Sequence, residues 1–252
     1  MSKKIVITGG LGYIGTELCK IYSGESWRNQ ITVIDNRFAS ERVNQLRNWS
    51  INFVHADIRD SKNVKHFLKE ADIIHHLAGI TDVARTKEES NFEKDKELND
   101  VAEKGTSVVL YESSENCKII FPSTHVIFEG KRDIEKDIEE DCEKFPVLSY
   151  GIGKDKNEEQ IKESKKNYVI LRLASVYGYS TDAMRLNIMP NLFSKISSQN
   201  GTIKLFAGGK QLKCLVPLVD AARCFKFMEE RDDIKFQTFN LSKDKVTVEQ
   251  VA

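Results

Sequence analysis

Thr8-Gly9-Gly10-Leu11-Gly12-Tyr13-Ile14-Gly15 is the stretch on which the reading of this 252-residue chain turns. Glycines at 9, 12 and 15, with an extra one at 10, join an apolar run to an amphipathic segment. Upstream, Ile5-Val6-Ile7 reads as the centre of a buried strand over 4–8. Downstream, Ile14, Leu18, Ile21 and Tyr22 recur at helical spacing. In a strand–glycine turn–helix unit the chain turns sharply, backbone can approach a pyrophosphate closely, and the helix packs tightly on its strand. The first N–H groups of the helix are unpaired, and its dipole favours an anion there. Gly9, Gly12 and Gly15 are therefore expected to cradle a dinucleotide pyrophosphate.

Outward from this turn, apolar runs alternate with helical patterns. Strands are expected at 31–35, 52–54, 72–77, 118–122 and 168–173. Such alternation implies βαβ units and a parallel sheet: an α/β, Rossmann-type doubly wound fold. The second strand ends in Asp35, whose carboxylate can accept hydrogen bonds from both adenosine ribose hydroxyls and would repel a 2′-phosphate. NAD is thus favoured over NADP, although the nearby Arg37 could accommodate a 2′-phosphate. Asp57-Ile58 after the third strand is placed to reach the adenine edge. Leu77-Ala78-Gly79 after the fourth has small residues that let backbone run beside the cofactor. His75 and His76 alternate faces on that strand and read as structural, with no third metal ligand nearby.

Tyr150 and Lys154 lie four apart, on one face of a helix. A nearby ammonium favours the phenolate, so Lys154 is expected to lower the pKa of Tyr150 and could also bind nicotinamide ribose hydroxyls. A tyrosine so tuned can remove or return a hydroxyl proton while hydride moves to the nicotinamide. Tyr-x-x-x-Lys alone carries little, but Ser123-Thr124 ends the fifth strand, and ligands of open α/β sheets sit at the C-terminal ends of strands. Thr124 could there hydrogen-bond the reacting oxygen. A strand-end or cap hydroxyl is the plain alternative.

With these motifs in order, the chain resembles the NAD-dependent epimerase/dehydratase family of extended short-chain dehydrogenases/reductases. The matching elements are TGGLGYIG at 8–15, Asp35, Asp57-Ile58, HHLAG at 75–79, STHVIFEG at 123–130, YGIGK at 150–154 and LRLASVYG at 171–178. The resemblance implies a catalytic set of Thr124, Tyr150 and Lys154. It also implies cofactor contacts at Tyr13, Ile14, Asn36, Asp57, Ile58, Leu77, Ala78 and Gly79 beside the glycines and Asp35. Asn187 in Asn187-Ile188-Met189-Pro190 resembles an Asn that contacts a sugar-nucleotide diphosphate, and Lys213 stands where relatives usually carry an Arg. A nucleotide-sugar substrate follows, with 4-epimerisation through a transient keto sugar as the leading reaction. His125 and Val126 follow Thr124 where 4,6-dehydratases carry acids, which argues against that chemistry. STHVIFEG is similar in shape to STDYVFDG of keto-sugar reductases, so an NAD(P)H-dependent reductase or dehydrogenase is the second reading. A dinucleotide-binding sensor without turnover is the third. A homodimer through helices near 88–114 and 150–164 is implied by analogy.

The remaining composition agrees. Lys plus Arg and Asp plus Glu are each 38, a neutral balance that argues against a nucleic-acid partner. No apolar run approaches a membrane span, and none near the N-terminus is long enough for a signal peptide. Cys19, Cys117, Cys142, Cys214 and Cys224 fit no zinc spacing and suggest free thiols in a reducing, cytoplasmic setting. Charged stretches at 87–97, opening a long helix, and at 131–144 read as solvated surface. Residues 1–173 are expected to form the NAD-binding domain and 174–252 a small substrate lobe. In that lobe helices are expected near 188–196 and 221–228, and strands near 203–206 and 236–241. The chain stops at 246–252, where relatives would begin another helix, so part of the lobe is expected to be absent.

Overall fold

The structure, a computed structural model, describes residues 2–24, 29–81, 89–131, 137–180 and 183–252. The two charged stretches lie partly outside these. The first half alternates β1 (Lys4–Thr8), α1 (Tyr13–Tyr22), β2 (Gln30–Asp35), α2 (Ser40–Asn48), β3 (Asn52–His55), α3 (Ser61–Glu70) and β4 (Ile73–His76). Then come α4 (Phe92–Glu112), β5 (Lys118–Thr124), α5 (Ser149–Glu163) and β6 (Tyr168–Leu173). These six strands and β9 (Gln237–Leu241) form one sheet in the order β3-β2-β1-β4-β5-β6-β9, every neighbour parallel. The order reverses between β1 and β4, and the crevice beyond their C-terminal ends is where such sheets bind ligands.

Alternation along the strands builds the two cores. Ile5 and Ile7 face one side with Leu18, Cys19 and Tyr22 of α1, Val43 and Leu46 of α2, and Phe225 and Met228 of α7 (Leu218–Glu230). Val6 faces the other with Val64 and Leu68 of α3, Val109 of α4 and Ile161 of α5. Both faces of the sheet are covered, which is why strands such as Ile119-Ile120-Phe121 are continuously apolar.

The C-terminal third is not one appended lobe. After β6 the chain makes β7 (Ser175–Tyr177), α6 (Met189–Ser198) and β8 (Leu212–Pro217), then returns through α7 and β9 to the main sheet. It closes with β10 (Asp244–Thr247) and the short α8 (Val248–Val251). β7 and β10 flank β8 in a separate three-stranded sheet. So residues 218–241, expected in the substrate lobe, build the main sheet's outer strand and a helix packed on α1. The strand expected at 203–206 is not formed. Residues 201–205 are irregular and run into a short turn at Phe206–Gly209, where Ala207, Gly208 and Gly209 have φ of 46°, 66° and 69°. That left-handed run cannot continue a strand.

Candidate active site

The turn after β1, the segment after β4 and the start of α5 come together at the crevice: Gly9 lies against Ala78, and Ala78 lines a cleft with Tyr150 and Lys154. The glycine turn is built by contact, not by flexibility alone. Gly9 has φ of +70°, and a Cβ there would lie 2.7 Å from the Ala78 backbone; one on Gly15 would lie 2.6 Å from the Gly9 carbonyl oxygen. Gly12 caps α1 without a side chain, leaving the first helical N–H groups to a ligand. A turn packed too closely to admit a Cβ, ending at helical N–H groups without a side-chain cap, fits a pyrophosphate. Gly9→Ala should therefore lower stability by about 2 kcal/mol, through the strained φ and the clash with Ala78, and weaken dinucleotide binding. Unfolding in urea with and without NAD reads both effects, and an unchanged midpoint would contradict them.

Asp35 is buried at the end of β2. Its Oδ2 accepts from the Leu11 N–H at 2.9 Å, and its Oδ1 accepts from the Arg37 N–H at 3.0 Å and Nε at 3.3 Å. Arg37 is largely exposed and reaches over Gly12, so the cation that sequence left open lies beside the carboxylate and pairs with it. Asp57 accepts from Arg59 three times, from its N–H, Nε and Nη2, and Asn36 also reaches it. The Arg59 hydrogen bonds hold its pKa down. The structure thus brings Asn36 and Asp57 together. Ile58, in contrast, is buried beneath α4, where Gly105 leaves room for it. Ala78 and Gly79 line the same cleft as Tyr150, Gly153, Lys154 and Asn157. The Leu77 N–H donates to the Thr8 carbonyl at 3.1 Å, carrying the β1–β4 pairing one residue further. Tyr13, at the start of α1, donates to the Gly178 carbonyl and packs the turn against the segment after β7. Ile14 lies partly buried beside it.

Lys154 Nζ donates to the Pro122 carbonyl at 2.7 Å and sits 4.4 Å over the Phe121 ring, both on β5. Thr124 ends that strand and is buried, its Oγ1 accepting from the Val126 N–H at 3.2 Å as the cap of a short 3-10 helix, His125–Phe128. Its hydroxyl hydrogen is not used by that bond. Burial pushes the Lys154 ammonium down to about 8. Here one expectation is corrected: the phenol of Tyr150 is raised, not lowered. Burial dominates, and the cation opposing it is Arg185. Lys154 is held by Pro122, its Nζ 6.0 Å from the Tyr150 ring centre.

Beyond β6 the substrate-side residues separate. Asn187 lies exposed in a turn. Asn191, one helical turn on, is buried: its Oδ1 accepts from the Gly178 N–H at 2.9 Å, and its Nδ2 donates to Tyr13 at 3.1 Å and to the Arg185 carbonyl at 3.0 Å. Sequence reading passed over Asn191 and Arg185, for nothing local distinguishes one Asn from the next until Tyr13 is brought alongside. Arg185 Nη2 donates to the Thr81 carbonyl at 2.6 Å, spanning from this segment to the one after β4. Lys213 on β8 is exposed, opposite Val246 of β10, and its charge reaches His125.

His75 and His76 are both buried and both hydrogen-bonded to protein. His75 Nε2 meets Tyr22 at 3.0 Å and Glu229 at 3.0 Å, while His76 lies between Thr8 at 2.9 Å and Thr106 at 3.1 Å. No three His, Cys, Asp or Glu cluster as a metal site among the described residues. The five cysteines are unpaired, and no described helix is long and apolar enough to cross a membrane.

Known proteins resemble this chain in sequence and in fold. A decarboxylase of UDP-N-acetyl-alpha-D-glucosaminuronate from Bacillus cytotoxicus is 24% identical over 268 residues, covering 100% of this chain and 79% of the relative. The UDP-glucose 4-epimerase of Mycoplasma genitalium is 23% identical over 260 residues, covering 94% and 76%. Among solved structures, the UDP-glucose 4-epimerase of Thermotoga maritima with UDP-glucose superposes with a TM-score of 0.84 at 22% identity, over 98% of this chain and 79% of that one. The UDP-glucuronic acid 4-epimerase of Bacillus cereus, in complex with UDP-glucuronic acid and NAD, gives 0.82 at 21% identity, over 97% and 79%. The glycine turn, the Tyr/Lys helix and the strand-end threonine all fall within residues 5–242, which match one family model, and the chain belongs to the NAD dependent epimerase/dehydratase family.

Proposed function

We propose that this enzyme inverts C4 of a UDP-sugar with NAD retained through the cycle. The observation that carries the reading is the convergence of Tyr150 and Lys154 on the cleft lined by Ala78 and Gly79, with Thr124 at the neighbouring strand end. The turn at Gly9, Gly12 and Gly15 would hold the pyrophosphate, Asp35 the ribose, and Asn36 with Asp57 the adenine side. NAD, when bound, supplies a reversible hydride acceptor. Thr124 donates its free hydroxyl hydrogen to the sugar oxygen and orients it. Tyr150 takes the C4 hydroxyl proton as the carbonyl forms and gives it back after the sugar presents its other face. Lys154 would donate to the nicotinamide ribose hydroxyls, and Arg185 supplies the positive charge that opposes burial at the phenol. Asn187 and Lys213, both exposed beyond β6, would be contacts for the substrate diphosphate in this reading. Relatives named for UDP-sugars support the choice of nucleotide. Exposed Phe92 and Tyr111 on α4 support a homodimer through α4 and α5, and unpaired cysteines support a cytoplasmic setting.

Purified protein with UDP-glucose, UDP-N-acetylglucosamine or UDP-glucuronate should convert one of them to its C4 epimer, followed by proton NMR, with no net change in nicotinamide absorbance. Net oxidation or reduction of the nicotinamide would replace this reading with a dehydrogenase or reductase. Loss of the carboxyl carbon from UDP-glucuronate would replace it with a decarboxylase.

A further inference from the structure

Helix α5 carries a third charged residue in register with its catalytic pair. Tyr150, Lys154 and Glu158 follow one another at intervals of four, so Glu158 lies one turn beyond Lys154 on the same face. Its side chain is fully buried. Glu158 Oε1 accepts from Ser123 Oγ at 2.5 Å and from Arg172 Nε at 2.9 Å, and Oε2 accepts from Arg172 Nη2 at 2.8 Å. Arg172 on β6 is also buried and donates its remaining arm to the Glu140 carbonyl at 2.7 Å. A forked, buried pair of this kind fixes geometry as well as charge. It ties α5 to β6 through Arg172 and to β5 through Ser123, the residue immediately before Thr124.

We propose that Glu158 is a positioning residue for the reaction: a buried carboxylate one helical turn from Lys154 that locks α5, with Tyr150 and Lys154 on it, to β6 through Arg172 and, through Ser123, to the strand end that presents Thr124. The inference rests on the cofactor role given to Lys154 above. Around Lys154, the titratable and charged groups among the described residues are few. α5 contributes Tyr150 and Glu158, β4 contributes the neutral His76, and β6 contributes Arg172 through its pair with Glu158. β5 contributes only a ring and a carbonyl. On α4, Asp100 pairs with Arg59 and Lys104, and Glu103 pairs with Lys156. Glu158 is the negative charge that acts against the desolvation of the ammonium. Lys162 also approaches it, at 3.7 Å from the more exposed end of the helix.

The test is the pH dependence of NAD binding, read by titration calorimetry on the whole chain. In the wild type, affinity should fall by about 5- to 10-fold as a charged donor becomes a neutral one, with its midpoint near the Lys154 value of about 8. Glu158→Gln strands Arg172 as an unpaired buried cation and threatens the fold. The decisive variant is therefore Glu158→Met with Arg172→Met, which removes both charges and keeps an apolar filling. Its circular dichroism spectrum should match the wild type, and its binding midpoint should lie about one pH unit lower. A folded double variant with the wild-type midpoint overturns the proposal, since a merely structural Glu158 would leave the midpoint in place. A wild type freed of bound nucleotide that takes up no NAD at any pH overturns the cofactor reading itself, and this inference with it.

Discussion

The Tyr150→Phe enzyme should turn over its UDP-sugar about 10²–10⁴-fold more slowly than the wild type, the range that one positioned acid/base contributes. NAD binding should survive, because the ring that lines the cleft beside Gly79 and Gly153 is kept and only the hydroxyl is lost. The loss should appear in kcat, not in KM, as befits a group used in the transition state. Burial holds the phenol above its ordinary range, so at neutral pH Tyr150 rests protonated. Its first act is then limited by the small phenolate fraction, and the wild-type rate should climb with pH until Lys154 begins to lose its proton near 8. Retention of more than a tenth of the wild-type rate in Tyr150→Phe would remove Tyr150 from the chemistry and leave the site a binding site only.

Acid should destabilise the protein through His76 well before the carboxylates titrate. Thr8 Oγ1 accepts the Ala78 N–H at 3.2 Å and meets His76 Nδ1 at 2.9 Å, while His76 Nε2 meets Thr106. The Ala78 N–H uses one lone pair of Thr8 Oγ1, and a hydroxyl can donate or accept with what remains, so the two threonines satisfy both nitrogens of the neutral ring. Burial and the charge on Lys154 push the imidazole down to about 3 from 6.5. Between those values the unfolded chain binds a proton that the folded one refuses, so stability is complete above the higher value and drains away as pH falls. From about pH 7.5 to about pH 4 this group alone should remove about 3 kcal/mol. His76→Gln, which can still bridge two hydroxyls, should flatten the slope of urea-denaturation free energy over that window by a similar amount. An unaltered slope would mean that His76 takes up its proton in the native state.

What could be read from residues alone was what neighbours in sequence decide. The glycine turn, Asp35 and the Tyr150–Lys154 face depend on a strand, a turn or a helix whose pattern is local, and each lies where the pattern put it. The short strands β7, β8 and β10 escaped because they are three to six residues long and only partly buried, without a continuous apolar run. The strand expected at 203–206 had the apolar residues but no partner, and positive φ values at Ala207 and Gly208 end it. Long-range partners were invisible. Nothing near Tyr150 announces Arg185, and nothing near Tyr13 announces Asn191. The sign of the Tyr150 shift was missed for the same reason: a neighbour four residues away was visible, and the burial produced by the rest of the fold was not.

The return of α7 and β9 to the main sheet decides which pieces of this protein can be exchanged. β9 pairs with β6 over five residues, from Val169↔Gln237 to Leu173↔Leu241, and α7 brings Phe225 and Met228 into the core under α1. A cut after residue 173 would remove the outer strand and uncover that core, so 1–173 is not a module to be expressed alone. β7, α6 and β8 belong instead to an excursion whose two ends are pinned to the scaffold, at β6 and at α7. Grafting a relative's specificity would mean replacing that excursion between fixed posts, together with β10 and α8, which close its small sheet, while leaving 218–241 untouched.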